Sequence, residues 1–183
     1  PQIESYRGNV NTMGERSCYD EGKRIAESLC HEYRKEYNIN TRILRIFNTY
    51  GPGMDPLDGR VISNFIVNSI RKKPLTIYGD GSQTRSFCYI DDMTDALVKA
   101  MGIDFESTIN LGNDNEISLN QLAEIFFDNY GKNKIKYTEL DKDDPKVRRP
   151  NIERAKKILK WAPSTSLIDG LEKTYKYFRS IIK

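Results

Sequence analysis

The feature of the sequence that most constrains the fold is a long amphipathic segment that a short polar link joins to a strand-like segment. Between Ser17 and Tyr37, apolar residues recur three and four positions apart with charged residues between them, which predicts a helix capped by Ser17. Residues 41–47 predict a strand, which the Asn- and Gly-containing segment 48–53 ends. Because a helix that returns directly to a strand is typical of parallel α/β sheets, we expect part of a Rossmann-like domain.

The remainder of the chain alternates short helical and strand-like patterns. Asp80 and Gly81 predict a hairpin turn between two strands, and Ser118 with Gln121 predicts a capping box. We expect these smaller elements, from about residue 60 onward, to form a lid over the mouth of the sheet. The predicted helices are 61–73, Asp91 or Asp92 to about 101, 118–130, 151–160 and 166–182, and the predicted strands are 75–78, 84–90, 108–111 and 134–138.

The composition excludes several classes of function. With 183 residues, of which 30% are charged and 38% hydrophobic, the chain is long and apolar enough to fold around a core. A net charge of +3 without a Lys/Arg block argues against nucleic-acid binding, and no apolar run is long enough to span a bilayer. Three widely spaced cysteines and a single histidine argue against disulfides and metal ligation, so we expect a reduced, cytoplasmic protein.

Tyr19 and Lys23 have the spacing that most directly predicts chemistry. Four positions apart on a helix, they share a face and bring an ammonium beside a phenol, which favours the phenolate, a proton acceptor for a sugar hydroxyl. Tyr130 and Lys134 have the same spacing, but Gly131 predicts that a helix ends between them. The alternative for Tyr19 is a solvated Tyr–Lys pair without a chemical role.

Several segments, in order along essentially the whole chain, resemble one known family. The Tyr19-x-x-x-Lys23 pattern, 45–52 (RIFNTYGP) and 78–92 (YGDGSQTRSFCYIDD) resemble extended short-chain dehydrogenases that act on nucleotide sugars. Segments 18–24 (CYDEGKR), 58–61 (DGRV) and 144–152 (DPKVRRPNI) are most similar to the UDP-glucuronate decarboxylase (UDP-xylose synthase) subfamily. The resemblance implies a homodimer that uses NAD to convert a UDP-sugar, UDP-glucuronate, to UDP-xylose through a 4-keto intermediate.

The resemblance also implies a division into domains. Residues 1–59 would be the C-terminal part of the NAD-binding Rossmann domain, and residues 60–183 mainly the substrate domain, with some elements returning to the Rossmann sheet. The start, Pro1-Gln2-Ile3-Glu4, reads as the interior of a loop, so we expect a piece of a longer protein. The glycine-rich dinucleotide loop and the family's Ser/Thr and Glu partners would lie upstream, so we expect the piece alone to be inactive.

Each residue of the implied site has a structural alternative. Asn48 follows a strand, where α/β sheets place ligand contacts, but could equally cap its loop. Arginine guanidinium groups match phosphate geometry, although each could be in a surface ion pair. The implied roles are proton transfer for Tyr19; support of the phenolate and the nicotinamide ribose for Lys23; cofactor contact for Thr49; and substrate contact for Asn48, Arg60, Tyr78, Arg85 and Arg148.

Two residues depart from the subfamily's pattern, and two other functions stay open. Gly53 stands where these decarboxylases more often have Arg, and Asp55 replaces a common His. One alternative is a nucleotide-sugar 4,6-dehydratase or 4-epimerase, against which the Arg148-Arg149-Pro150 segment argues. The other is a UDP-sugar-binding module without catalysis.

Overall fold

The computed structural model describes residues 1–139 and 147–182. Within these ranges helices and short strands alternate, as the sequence predicts. The helices are α1 (Ser17–Tyr37), α2 (Val61–Ile70), α3 (Ile90–Met101), α4 (Leu119–Tyr130), α5 (Glu153–Ile158) and α6 (Leu167–Ile181). The strands are β1 (Leu44–Ile46), β2 (Thr49–Tyr50), β3 (Leu75–Tyr78), β4 (Thr84–Arg85), β5 (Cys88–Tyr89), β6 (Ile109–Leu111), β7 (Ile117–Ser118), β8 (Ile135–Thr138) and β9 (Val147–Arg148).

Most strand pairs are parallel, which confirms the predicted α/β class. β1 pairs with β6, β2 with β5, and β3 with β8, all in parallel. β4 lies between β7, to which it is antiparallel, and β9, to which it is parallel. Parallel strands need crossover connections, and the intervening helices supply them.

The predicted strand 41–47 is shorter in the structure, where β1 covers Leu44–Ile46, and the backbone changes partner at Asn48. The Phe47 amide donates to the Leu111 carbonyl at 2.8 Å, as part of the pairing with β6. One residue later the Asn48 carbonyl accepts from the Cys88 amide at 2.9 Å, and β2 continues beside β5. Asn48 therefore lies at the point where the chain moves from one neighbour to another.

Buried apolar side chains form two clusters. One joins α2, α4 and α6 to β3 and includes Phe65, Ile77 and Phe126, all fully buried. The other joins α3 and α5 to β6 around Met93 and Trp161. The division into domains at residue 59 remains a prediction. In the described part of the chain, no helix combines the length and apolar character that crossing a membrane requires.

α1 has the predicted bounds, but its cap and its burial differ from expectation. Ser17 is the first helical residue, Arg16 is the N-cap, and no side chain caps the helix, so the predicted Ser17 cap is wrong. No residue of α1 is buried; Ile25 is 61% and Leu29 52% exposed. The helix is held by polar contacts, above all a two-pronged ion pair between Glu27 and Arg45 of β1.

The predicted hairpin at Asp80-Gly81 is wrong. β3 pairs with β8 rather than with β4, and the turn instead packs on the start of α4. The Asn120 amide donates to the Gly81 carbonyl, and the Asn120 side chain donates to the Asp80 carbonyl, both at 3.1 Å. Gly81 has a φ of 77°, and a Cβ there would overlap the Asn120 side chain. The turn therefore packs against the N-terminus of α4 and does not connect two paired strands.

Most of the remaining boundaries follow the sequence with small shifts, but the predicted single strand 84–90 is wrong, because β4 and β5 are separate strands with different partners. The Ser118–Gln121 capping box is present as predicted. Neither Asp91 nor Asp92 caps α3, because its N-cap is Tyr89. The buried Asp92 carboxylate instead accepts hydrogen bonds from Ser164 and Thr165, and its carbonyl accepts from the Trp161 indole at 2.9 Å. These bonds fix the turn before α6.

Candidate functional site

The predicted pair on α1 has the geometry that its spacing requires. The Lys23 Nζ lies 5.4 Å from the centre of the Tyr19 ring, so the two side chains share one face of the helix. The Arg16 guanidinium carbon lies at the same distance, 5.4 Å, from that ring. Both cations are thus within cation–π distance of the ring. Arg16, three positions before Tyr19, is a neighbour that the sequence interpretation missed.

Tyr19 is open to its surroundings, since 60% of the residue is exposed. In the part of the chain that the structure describes, no hydrogen bond or ion pair joins Tyr19 or Lys23 to the other predicted site residues. The phenol and the ammonium can therefore both be reached by a ligand at the start of α1.

Asn48 and Thr49, at the start of β2, lie near Arg60, the N-cap residue of α2. The Thr49 hydroxyl donates to the Phe47 carbonyl at 2.9 Å, and the Thr49 carbonyl accepts from Arg60 Nη1 at 3.3 Å. The half-buried Asn48 side chain makes no hydrogen bond to any described residue. An amide at a strand end whose donors and acceptor are unused by its neighbours fits a ligand contact.

Asp58 orients Arg60. Its carboxylate accepts from Arg60 Nε at 2.7 Å and from the Arg60 amide at 3.0 Å, and it also accepts from the Ser63 hydroxyl. Burial opposes ionisation of this carboxylate, but the hydrogen bonds from Ser63 and Arg60 hold the pKa of Asp58 below its ordinary value. The ion pair considered as the structural alternative for Arg60 is thus present, and it leaves the guanidinium partly exposed beside Thr49.

Arg85 and Arg148, far apart in sequence, are neighbours in the sheet. β4 and β9 are parallel, and Arg85 is in register with Arg148. Register partners on adjacent strands project their side chains from the same face, so the two guanidinium groups face the same side. Arg85 is only 8% exposed, and Arg148 is half-buried. The register thus brings two guanidinium groups, which match phosphate and carboxylate geometry, to one face of the sheet.

Gln2 holds the segment that carries Arg148 in place. The Gln2 amide donates to the Arg149 carbonyl at 2.7 Å, and the Arg149 amide donates to the Gln2 side-chain oxygen at 2.9 Å. The Asn151 amide donates to the Gln2 carbonyl at 2.8 Å. Sequence reasoning missed this contact, because residues 1–16 have a loop-like pattern without any signal of a distant partner.

Tyr78 lies at the C-terminal end of β3 and is half exposed. Its carbonyl accepts a hydrogen bond from the Gln83 side chain, which fixes the strand end next to the turn that leads to β4. The ring is therefore presented at an open edge, as a base-stacking surface would be, rather than in the core. In the described ranges, no group of three or more His, Cys, Asp and Glu residues could hold a metal ion.

A parallel α/β arrangement, a Tyr-x-x-x-Lys helix and a following strand end that carries Asn and Thr are together typical of Rossmann-type epimerases and dehydratases. The chain belongs to the NAD dependent epimerase/dehydratase family, which its residues 1–112 match.

Individual relatives indicate a narrower class within this family. The chain is 47% identical over 180 residues to UDP-glucuronic acid decarboxylase 4 of Arabidopsis thaliana, covering 98% of this chain and 41% of that protein. It is 46% identical over 180 residues to UDP-glucuronic acid decarboxylase 1 of Xenopus tropicalis, covering 98% of this chain and 43% of that protein. The resemblance stated from the sequence motifs is thereby confirmed.

A solved structure matches the fold closely. UDP-glucuronic acid 4-epimerase of Bacillus cereus, in complex with UDP-glucuronic acid and NAD, superposes with a TM-score of 0.85 at 31% identity, over 98% of this chain and 60% of that chain. The chain spans about half the length of the curated relatives it matches, from 40% to 53% for those of Arabidopsis thaliana and Xenopus tropicalis given above and their paralogues.

Proposed function

We propose that the full-length protein is an NAD-dependent UDP-glucuronate decarboxylase and that this chain supplies its proton-transfer pair and most of its UDP-sugar contacts. The observation that carries the proposal is the in-register pair Arg85 and Arg148, because it places two guanidinium groups on one face of the sheet. UDP-glucuronate has a diphosphate and a carboxylate, so it offers an anion to each guanidinium. Identities of 46–48% to named decarboxylases support this substrate.

Tyr19 is the proposed proton acceptor and donor. As phenolate it takes the proton of the C4 hydroxyl, and Lys23 stabilises that phenolate and binds ribose hydroxyls of the cofactor. NAD, when bound, accepts and later returns the hydride at C4. The 4-keto sugar is a β-keto acid, so loss of its carboxylate leaves an enolate, whose protonation and reduction give UDP-xylose. The exposed hydroxyl and ammonium on one face of α1 fit this use.

Different arginines contact different anionic groups of the substrate in this proposal. We assign the diphosphate to the more deeply buried Arg85 and the glucuronyl group to Arg148. Arg60, oriented by Asp58, adds a second contact to the diphosphate beside Thr49, which contacts the cofactor. Asn48 contacts the sugar with its unused amide, and Tyr78 packs against the uracil.

Product analysis tests the proposal. Full-length protein is incubated with UDP-glucuronate and NAD⁺, and the products are identified by mass spectrometry. CO₂ with UDP-xylose is the expected outcome. A C4 epimer of UDP-glucuronate without CO₂ would identify a 4-epimerase, the second candidate, which the fold match to such an enzyme favours. Binding without turnover would identify a UDP-sugar-binding module.

The state of assembly and the location belong to the same proposal. We propose a homodimer in the cytoplasm, and inactivity of residues 1–183 alone. The apolar face of α1, with Ile25 and Leu29 more than half exposed, supports a further contact there in the complete protein. A monomeric mass for the intact protein in light scattering would refute the dimer.

A further inference from the structure

A cavity lies at the end of the β3–β8 pair opposite to Tyr78. Pro74 and Lys134, which immediately precede these two parallel strands, line it, whereas Tyr78 is at the far end of β3. Its volume is about 820 Å³, within the range of small-molecule sites. None of the residues proposed above to contact cofactor or UDP-sugar lines this cavity.

The lining of the cavity is cationic. Lys72, Lys132, Lys134 and Arg179 contribute four positive charges, and no Asp or Glu is among the lining residues. Throughout the described residues, none of these four side chains has an ion-pair partner. Glu172, a carboxylate that influences Tyr130 of the lining, is itself paired with Lys176 at 2.5 Å.

The C-terminal ends of helices offset only part of this positive charge. Three helices, α2, α4 and α6, end at the cavity through Ile70, Tyr130 and Ile182. A helix C-terminus corresponds to about half a negative charge, so these ends offset roughly one and a half of the four cations. A net positive charge is left, which favours an anion such as a di- or triphosphate.

The rest of the lining suits a polar ligand. Ser69 is only 5% exposed, and its hydroxyl has no hydrogen-bond partner among the described residues. Tyr130 and Tyr175 stack with ring centres 4.3 Å apart and form a rigid wall. Burial, with a contribution from Glu172, raises the pKa of Tyr130 to about 12, so its hydroxyl stays a donor at neutral pH. The Asn133 side chain donates to the Lys73 carbonyl at 2.8 Å and ties the two lysine-bearing loops together.

We propose that this cavity binds a small molecule that carries a di- or triphosphate group, at a site separate from the one for the UDP-sugar. Lys132, Lys134 and Arg179 bind the phosphate oxygens, and the hydroxyls of Tyr130 and Tyr175 are additional donors. Such a ligand removes the mutual repulsion of the cations and fastens α6 to the loops after α2 and α4.

Calorimetric titration of the full-length protein with inorganic pyrophosphate tests this site. An Arg60→Gln, Arg85→Gln background removes both proposed diphosphate contacts at the UDP-sugar site, so the remaining binding reports on the cavity. Adding Lys132→Gln and Lys134→Gln should weaken pyrophosphate by roughly tenfold or more per lysine, because each loses a charge-assisted contact. Lys136→Gln, on the exposed part of β8 outside the lining, is the matched control and should leave the affinity unchanged.

Arg179→Gln is the second variant, in case the double lysine variant does not fold, and unchanged melting temperatures verify folding. Tighter binding of ADP than of pyrophosphate would assign the ligand to nucleotides, and equal affinities would assign it to the inorganic anion; both support the site. Absence of pyrophosphate binding, or an affinity that is the same in all variants, overturns it. Binding of poly-glutamate but not of pyrophosphate overturns the small-molecule assignment in favour of an acidic protein partner.

Discussion

Glu27→Gln tests how α1 is held in position. Arg45 donates two hydrogen bonds to Glu27, at 2.7 and 2.8 Å, and the two side chains are 29% and 30% exposed. A hydrogen bond to a charged group contributes about 1.5–3 kcal/mol net when buried, and partial exposure reduces that value. Because Gln retains one acceptor but loses the charge, we expect a loss of about 1–2 kcal/mol in the free energy of unfolding.

Urea denaturation of the full-length protein measures this loss, and Glu36→Gln is the matched control. Glu36 is on the same helix and faces Lys35 at 3.6 Å, with both side chains well exposed, so its loss should cost less than about 0.5 kcal/mol. Since Tyr19 is on α1, Glu27→Gln should also lower kcat more than it changes KM. Equal denaturation midpoints for the two variants would refute the role assigned to this ion pair.

Further predictions concern packing, pH and substrate contact. Gly170→Ala should lower the free energy of unfolding by about 1–3 kcal/mol in urea denaturation, because its Cβ would overlap the Tyr50 hydroxyl and lie 2.9 Å from the Tyr89 ring. Gly22→Ala is the contrasting variant: no atom lies within 4 Å of its Cβ, so it should raise the free energy of unfolding by about 0.5–1 kcal/mol. Burial disfavours the charge on Asp92, but hydrogen bonds from Ser164 and Thr165 lower its pKa. The contribution of Asp92 to stability is therefore complete above the unfolded pKa of about 3.9 and is lost as the pH falls below it. Asp92→Asn should flatten this decline of the melting temperature at acid pH. Arg85→Lys should raise KM for UDP-glucuronate roughly tenfold in steady-state assays, because an ammonium cannot make two parallel hydrogen bonds to the diphosphate.

Local signals predicted the elements that carry the site. The bounds of α1 and the Ser118–Gln121 capping box follow from residues that are neighbours on one helix, and no distant contact competes with them. The same locality explains why Tyr19 and Lys23 have the expected geometry. A pattern of three or four residues is therefore enough to predict an element whose determining contacts lie within one helix.

Pairing between distant segments escaped prediction. The hairpin expected at Asp80-Gly81 is absent because β3 pairs with β8 and the turn packs on α4. The juxtaposition of Arg85 with Arg148 depends on the register of β4 and β9, and no local pattern encodes that register. The sequence identified both arginines separately, but the face that they share is a property of the sheet.

The most direct test of the proposed function is the release of labelled CO₂ from carboxylate-labelled UDP-glucuronate by full-length wild-type protein and by Tyr19→Phe. Tyr19 is exposed and its hydroxyl makes no hydrogen bond to a described residue, so the substitution removes the proton acceptor without disturbing the fold. We predict CO₂ release by the wild type, its loss in the variant, and equal UDP affinity for both by calorimetry. Wild-type rates of CO₂ release from Tyr19→Phe, or no CO₂ from the wild type, would contradict the account.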